Sequence, residues 1–178
     1  MCYDVMLVGQ ECRGAVMTET EKRMHRACFT GHRPEKLTRN EKDIKKDLEK
    51  EIRQAVADGL NVFITGMARG VDIWAAQIVL QLRREGHGVR LICACPYDGF
   101  ESGWSKEWQR QYKEILSEAD FVKYICEGYS RSCFQIRNEW MVNHSARVIA
   151  VFNGEKSGTK NTIDYAIRQN VPVEFIKG

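Results

Sequence analysis

The hydrophobic positions along this chain change period at regular intervals. Short apolar or β-favouring runs alternate with stretches in which apolar residues recur every three or four positions. Val62-Phe63-Ile64-Thr65 is the clearest short run, ending at Gly66; after a turn containing Gly70 a helical pattern begins at Val71, with Ile73, Ala76, Ile78, Val79 and Leu82 on one side. Cys28–Thr30, Val89–Cys95, Phe121–Cys126, Val148–Phe152 and Val173–Ile176 read as further strands. Helices are expected over Glu41–Asp58 (capped by Asn40 and stopped by Gly59), from Ser105 to Glu118, over Phe134–Ser145 and over Lys160–Gln169. Val148–Phe152 is a near-continuous apolar run, as expected of a parallel strand buried on both faces.

Strand and helix alternating in this way predict an α/β, Rossmann-like, doubly wound and mostly parallel sheet forming a single domain. Its expected limits are 27–178. Residues 1–26 read as an N-terminal extension, with a short strand over Asp4–Val8 and a polar linker over Thr18–His25. In such folds ligands sit beyond the carboxyl ends of the strands, where strand order reverses.

Composition narrows the picture. With 178 residues, 43% hydrophobic and 29% charged, the chain fits one globular domain with a proper core. No run is apolar and long enough to cross a bilayer, and no secretory signal is evident; a cytoplasmic location follows as the expectation. The net charge of +3 is mild, with no Lys/Arg block, so an anionic small molecule suits the chain and nucleic acid is not expected. Seven cysteines without a signal read as free thiols. Cys93 and Cys95 share a strand face, but no second close pair or His completes a metal set, so no metal is expected.

The chemistry-bearing residues lie at the strand exits. The first exit offers Thr30, Gly31, His32 and Arg33, a hydroxyl, a free backbone, an imidazole and a guanidinium. The second runs Gly66-Met67-Ala68-Arg69-Gly70-Val71-Asp72. A glycine turn feeding a helix start presents N–H groups and a positive dipole end to an anion. Asp72 either receives a ribose hydroxyl pair or complements the helix dipole. Gly154, Ser157, Gly158 and Thr159 form a second such turn after the fifth strand. Neither turn is a Walker loop or a Gly-x-Gly-x-x-Gly fingerprint, which disfavours ATP hydrolysis and nicotinamide chemistry and leaves no cofactor expected. Arg137, near a helix start, can hold a phosphate bidentately or bridge to surface carboxylates. Trp104, Trp108 and Tyr112 fall four apart and read as core or dimer packing along one helix face; Tyr97 and Phe100 are placed to cover a base.

Cys28-Phe29-Thr30-Gly31-His32-Arg33-Pro34, Thr65-Gly66-Met67-Ala68-Arg69-Gly70-Val71-Asp72 and Cys95-Pro96-Tyr97 together resemble the YpsA-like branch of the bacterial SLOG superfamily. The second motif is also similar to the Gly-Ala-Arg-Gly-Ile-Asp turn of the DNA-processing protein DprA. The run Arg137–Thr159 is similar to a segment of the LOG phosphoribohydrolases. The resemblance implies a Rossmann-like fold binding a nucleotide or nucleotide derivative, in a sensor-like role, as a homo-oligomer such as a dimer. Pro96 and Tyr97 join the implied ligand-binding set. On the LOG comparison Arg137 matches the catalytic-site Arg, and Gly158-Thr159 match the phosphate-cradling pair. The LOG catalytic Glu falls at Thr162, leaving Glu155 as the substitute and making N-glycosidic hydrolysis of a nucleotide the alternative reading. Single-stranded DNA binding, as in DprA, is a further alternative.

Overall fold

The computed structural model describes residues 17–178, so the strand expected at Asp4–Val8 lies outside the described residues. Six strands form one all-parallel sheet in the order β4-β3-β2-β1-β5-β6. They are β1 (Arg26–Gly31), β2 (Val62–Thr65), β3 (Arg90–Cys95), β4 (Phe121–Tyr124), β5 (Arg147–Phe152) and β6 (Val173–Lys177). Helices α2 (Glu41–Ala57), α3 (Val71–Arg84), α4 (Lys106–Glu118), α5 (Cys133–Asn143) and α6 (Gly158–Arg168) follow the first five strands in turn.

Right-handed crossovers dictate the layering. The chain steps outward from β1 to β4, which puts α2, α3 and α4 on one face; it then returns past β1 to β5 and β6, which puts α5 and α6 on the other. Strand side chains alternate between the two layers accordingly. Phe29, Phe63, Leu91 and Ile149 pack under α2, α3 and α4, whereas Cys28, Ile64, Ala94, Val148 and Ala150 pack under α5 and α6. Cys93 and Cys95 both sit in the first core, where burial raises their thiol pKa values, that of Cys95 to about 11. They are protonated packing residues at neutral pH.

Two segments differ from the sequence expectation. Thr18–His25, read as a linker, contains a short helix, α1 (Glu19–Arg23). Thr18 and Glu21 close a reciprocal capping box at its start, and Arg23 Nε donates to the Ser145 carbonyl at 3.0 Å, fixing the helix to the domain. At the other end of the chain α6 begins two residues earlier than periodicity alone gives. Ser157 caps it, accepting from the Lys160 N–H at 3.2 Å, so Gly158 and Thr159 belong to the first turn.

The exits of β1 and β2 are locked to α3. A Cβ at Gly31 would stand 2.5 Å from the side chain of Val71, which is fully buried. Gly31→Ala is therefore expected to destabilise the fold by about 1–3 kcal/mol through overpacking, with no gain elsewhere. Chemical denaturation should show a lower midpoint at unchanged slope.

Candidate functional site

Strand order reverses between β1 and β5, and the two loops leaving those strands diverge to opposite layers. A cleft of about 520 Å³ opens there, above the carboxyl ends of the strands. The β1 exit contributes Phe29, Thr30, Gly31, His32, Arg33, Glu35 and Lys36; the β2 exit contributes Ala68, Arg69 and Asp72. Phe100 and Trp104 come from the loop after β3, Phe134, Arg137 and Asn138 from α5, and Ser157, Gly158 and Thr159 from the start of α6.

The two glycine turns play different parts. At α6 the Gly158 and Thr159 N–H groups lie in the first helical turn, where no intrahelical acceptor exists, and both residues line the cleft. The β2 exit has turned its amides inward instead. The Thr65 hydroxyl accepts from the Met67 N–H at 3.2 Å, and Asp72 Oδ2 accepts from the Ala68 N–H at 3.2 Å. Met67 takes a left-handed φ of 59° to make this turn, and Gly70 one of 88°, packed against Pro34. Asp72 is thus first a brace for its own turn, and its carboxylate also faces the cleft.

Arg137 occupies the space over Gly66. Its Nη1 donates to the Gly66 carbonyl and its Nε donates to Asn138 Oδ1 at 2.8 Å. Gly66 lacks a Cβ because one would collide with this guanidinium and with the Asp72 carboxylate. Both charged side chains are buried. Burial raises the Asp72 pKa to about 6, against the opposing pull of Arg137 and of the Ala68 N–H. Burial also depresses the Arg137 pKa, offset mainly by Asp72.

The same cleft carries an aromatic wall. Phe100 makes edge contacts with Trp104 (centroids 5.0 Å apart) and Tyr112 (5.5 Å), while Tyr97 packs behind Phe100 and Phe134. Trp104 precedes α4, whose N-cap is Ser105, yet it packs edge-on against Tyr112 (centroids 5.8 Å apart) and, like Trp108, against the first core. The expected core packing therefore holds, although one of the three stands outside the helix. Trp104 lines the cleft, whereas Tyr112 is fully buried and donates its hydroxyl to Cys95 Sγ at 3.1 Å.

Of the residues singled out by sequence, Thr30, Gly31, His32, Arg33, Ala68, Asp72, Arg137, Ser157, Gly158 and Thr159 meet in the cleft. Gly66 and Met67 lie beneath it, Gly70 and Pro96 shape loops beside it, and Tyr97 backs its aromatic wall. Gly154 and Glu155 are exposed and outside it. Thr162 is buried in α6, its hydroxyl donating to the Gly158 carbonyl at 2.9 Å. Sequence reading overlooked Phe29, Glu35, Lys36, Arg69, Phe134 and Asn138. Arg69 stood inside a motif already noted and Asn138 beside Arg137, but nothing local marks the others.

A single α/β domain with a six-stranded parallel sheet and a cleft at its switch point is a Rossmann-like fold. The chain belongs to the YspA SLOG family, whose model it matches over residues 27–176. A UPF0398 protein of Bacillus thuringiensis (strain Al Hakam) is 30% identical over 153 residues, 82% of this chain and 83% of that one. The uncharacterized SPbeta prophage-derived protein YoqJ of Bacillus subtilis (strain 168) is 35% identical over 116 residues, 58% of this chain and 68% of that one. Among solved structures, DprA from Streptococcus pneumoniae superposes with a TM-score of 0.64 at 24% identity, over 87% of this chain and 51% of that chain. DprA from Helicobacter pylori gives 0.64 at 19%, over 90% and 68%. This chain therefore spans about half the length of the pneumococcal protein.

The Helicobacter pylori structure describes a single-stranded DNA binding mode of DprA, which overturns the expectation set here against a nucleic-acid partner. A net charge averages over the whole surface, so +3 does not by itself weigh against a strand, whose binding needs only a local set of cations. Among the described residues no helix is long and apolar enough to cross a membrane.

The buried carboxylate gives the site a pH signature. A folded-state pKa of about 6 against an ordinary 3.8 means that the folded protein holds this proton more tightly than the unfolded chain. Stability from this group is present below pH 4 and is lost as pH rises to about 6. Asp72→Asn keeps an acceptor for the Ala68 N–H and should flatten that decline: whatever the loss of the Arg137 counter-charge costs, the variant's stability relative to wild type should improve by up to about 3 kcal/mol between pH 4 and pH 7. Denaturation across pH 4–7 measures the difference; equal slopes for both proteins would refute it.

Proposed function

We propose that the chain is a cytoplasmic protein that binds a nucleotide or nucleotide-derived small molecule in the switch-point cleft, with residues 27–178 as its binding domain. The observation that carries this reading is the polarity of the cleft. Open helix N-terminal amides at Ser157–Thr159 form one part, suited to a phosphate, and the aromatic wall of Phe100, Trp104 and Phe134 forms another, suited to a base. Asp72 and Arg137 lie in the same cleft and suit ribose and phosphate oxygens. The hydrolase alternative draws little from this geometry, since Thr162 stands where the LOG family has its Glu and Glu155 lies outside the cleft.

Thermal unfolding against a panel of nucleoside mono- and diphosphates tests the reading. A true ligand at a hundred times its Kd should raise Tm by about 5–10 °C. Gly158→Ala adds a methyl where the unliganded protein has open space, so it should leave the fold intact and reduce that shift. Gly66→Ala is unsuitable, because it displaces Arg137. No shift across the panel would refute the reading.

A second reading, single-stranded nucleic acid, is favoured by the fold shared with DprA and by Arg33 and Lys36 in one cleft, where Arg69 is paired with Glu35 at 3.1 Å. Retardation of a labelled oligonucleotide should then weaken steeply with salt, and Lys36→Glu should weaken it further at low salt. Absent or salt-insensitive retardation would dispose of it.

A further inference from the structure

The cleft contains one buried side-chain nitrogen that no group among the described residues satisfies. His32 is 3% exposed, and among the described residues its Nε2 has no hydrogen-bond partner. It lines the same cleft as Ser157, Gly158 and Thr159 at the start of the eleven-residue helix α6. Its ring is held in place by stacking on Phe152, centroids 5.6 Å apart and planes 14° from parallel. The stack joins the exit of β1 to the exit of β5, so the imidazole stands at the reversal of strand order itself. A buried, unpartnered ring nitrogen costs free energy unless something docks against it.

We propose that His32 is the proton-linked ligand of a terminal phosphate, which it receives together with the first-turn amides of α6. This deepens the nucleotide reading and rests on it. The chemistry follows from the charges that face the ring. Loss of solvent lowers the imidazole pKa, and Lys36, from its own loop, adds to this by opposing a second positive charge; Glu155 and Asn153, from the loop after β5, act the other way. Arg33 adds a further cation to the same wall. The ring is therefore neutral at neutral pH. A phosphate brings the negative charge that was missing, restores the preference for imidazolium, and so binds with uptake of a proton by His32. A terminal phosphate has three free oxygens to divide between ring and amides, whereas a phosphodiester has two. The site should consequently favour a monoester over a diester.

Calorimetric titration tests this with inorganic phosphate, the four ribonucleoside 5′-monophosphates and their methyl esters, each in two buffers of different ionisation heat at pH 6, 7 and 8. Wild type should take up protons beyond those accounted for by the phosphate's own ionisation, bind the monoester more tightly than its methyl ester, and weaken as pH rises. His32→Gln should lose the extra uptake and bind the monoester about tenfold more weakly at pH 6, with a smaller deficit at pH 8. Retained Tm without nucleotide shows that the variant is folded; if it is not, His32→Asn takes its place. Equal proton counts and equal pH profiles in wild type and variant would overturn the role of His32 while leaving nucleotide binding standing. No binding of any of these compounds to wild type would overturn both.

Discussion

The site is organised around a guanidinium taken out of water. Arg137 projects from α5, in one layer, across the sheet's edge to the turn that feeds α3, in the other layer. A buried cation of this kind is tolerated only where hydrogen bonds and an opposite charge replace its hydration. The Gly66 carbonyl, Asn138 and the nearby Asp72 carboxylate supply them. Asp72 in turn braces its own turn through the Ala68 N–H. One buried pair of charges thus holds the second strand exit against the fifth helix, and the floor of the cleft is set before any ligand arrives.

Around that floor the parallel topology distributes different chemistry to different walls. Each strand exit delivers a short loop to the same edge, and the reversal between β1 and β5 keeps two of those loops apart. They are nevertheless tied together, by the His32–Phe152 stack and by Asn153 Nδ2 donating to the Lys36 carbonyl at 2.8 Å. The amides of α6 and the aromatic rings beyond β3 come from distant parts of the chain. What makes them one site is topology, since no single motif contains both.

Much of the fold was legible because buried parallel strands leave long apolar runs and the covering helices leave periodic ones. All six strands were found, including β4, although its Phe121-Val-Lys-Tyr lies at a half-exposed edge. The five-residue α1 escaped because one turn carries no period, yet its Thr18–Glu21 capping box was a readable signal. Within the site, the motif glycines were legible as positions but not as roles. Gly66 looked like an anion turn; its lost Cβ makes room for a side chain 71 residues away, and nothing local encodes that. Trp104 matched a helical spacing while standing just before the helix. Lys36 and Phe134 have no sequence signature because only the tertiary arrangement turns them toward the cleft.

The collision that a methyl group at residue 66 would cause has an evolutionary corollary. Position 66 and position 137 form a lock whose two halves cannot drift separately: a descendant that keeps the guanidinium must keep the bare backbone beneath it, and one that accepts a side chain there must first have shed the arginine. Loss of the arginine would also strand the carboxylate of Asp72 without its counter-charge. Divergence within such a lineage should then proceed by replacing the three together, and a chain found with only one of them altered has abandoned this way of closing the cleft floor.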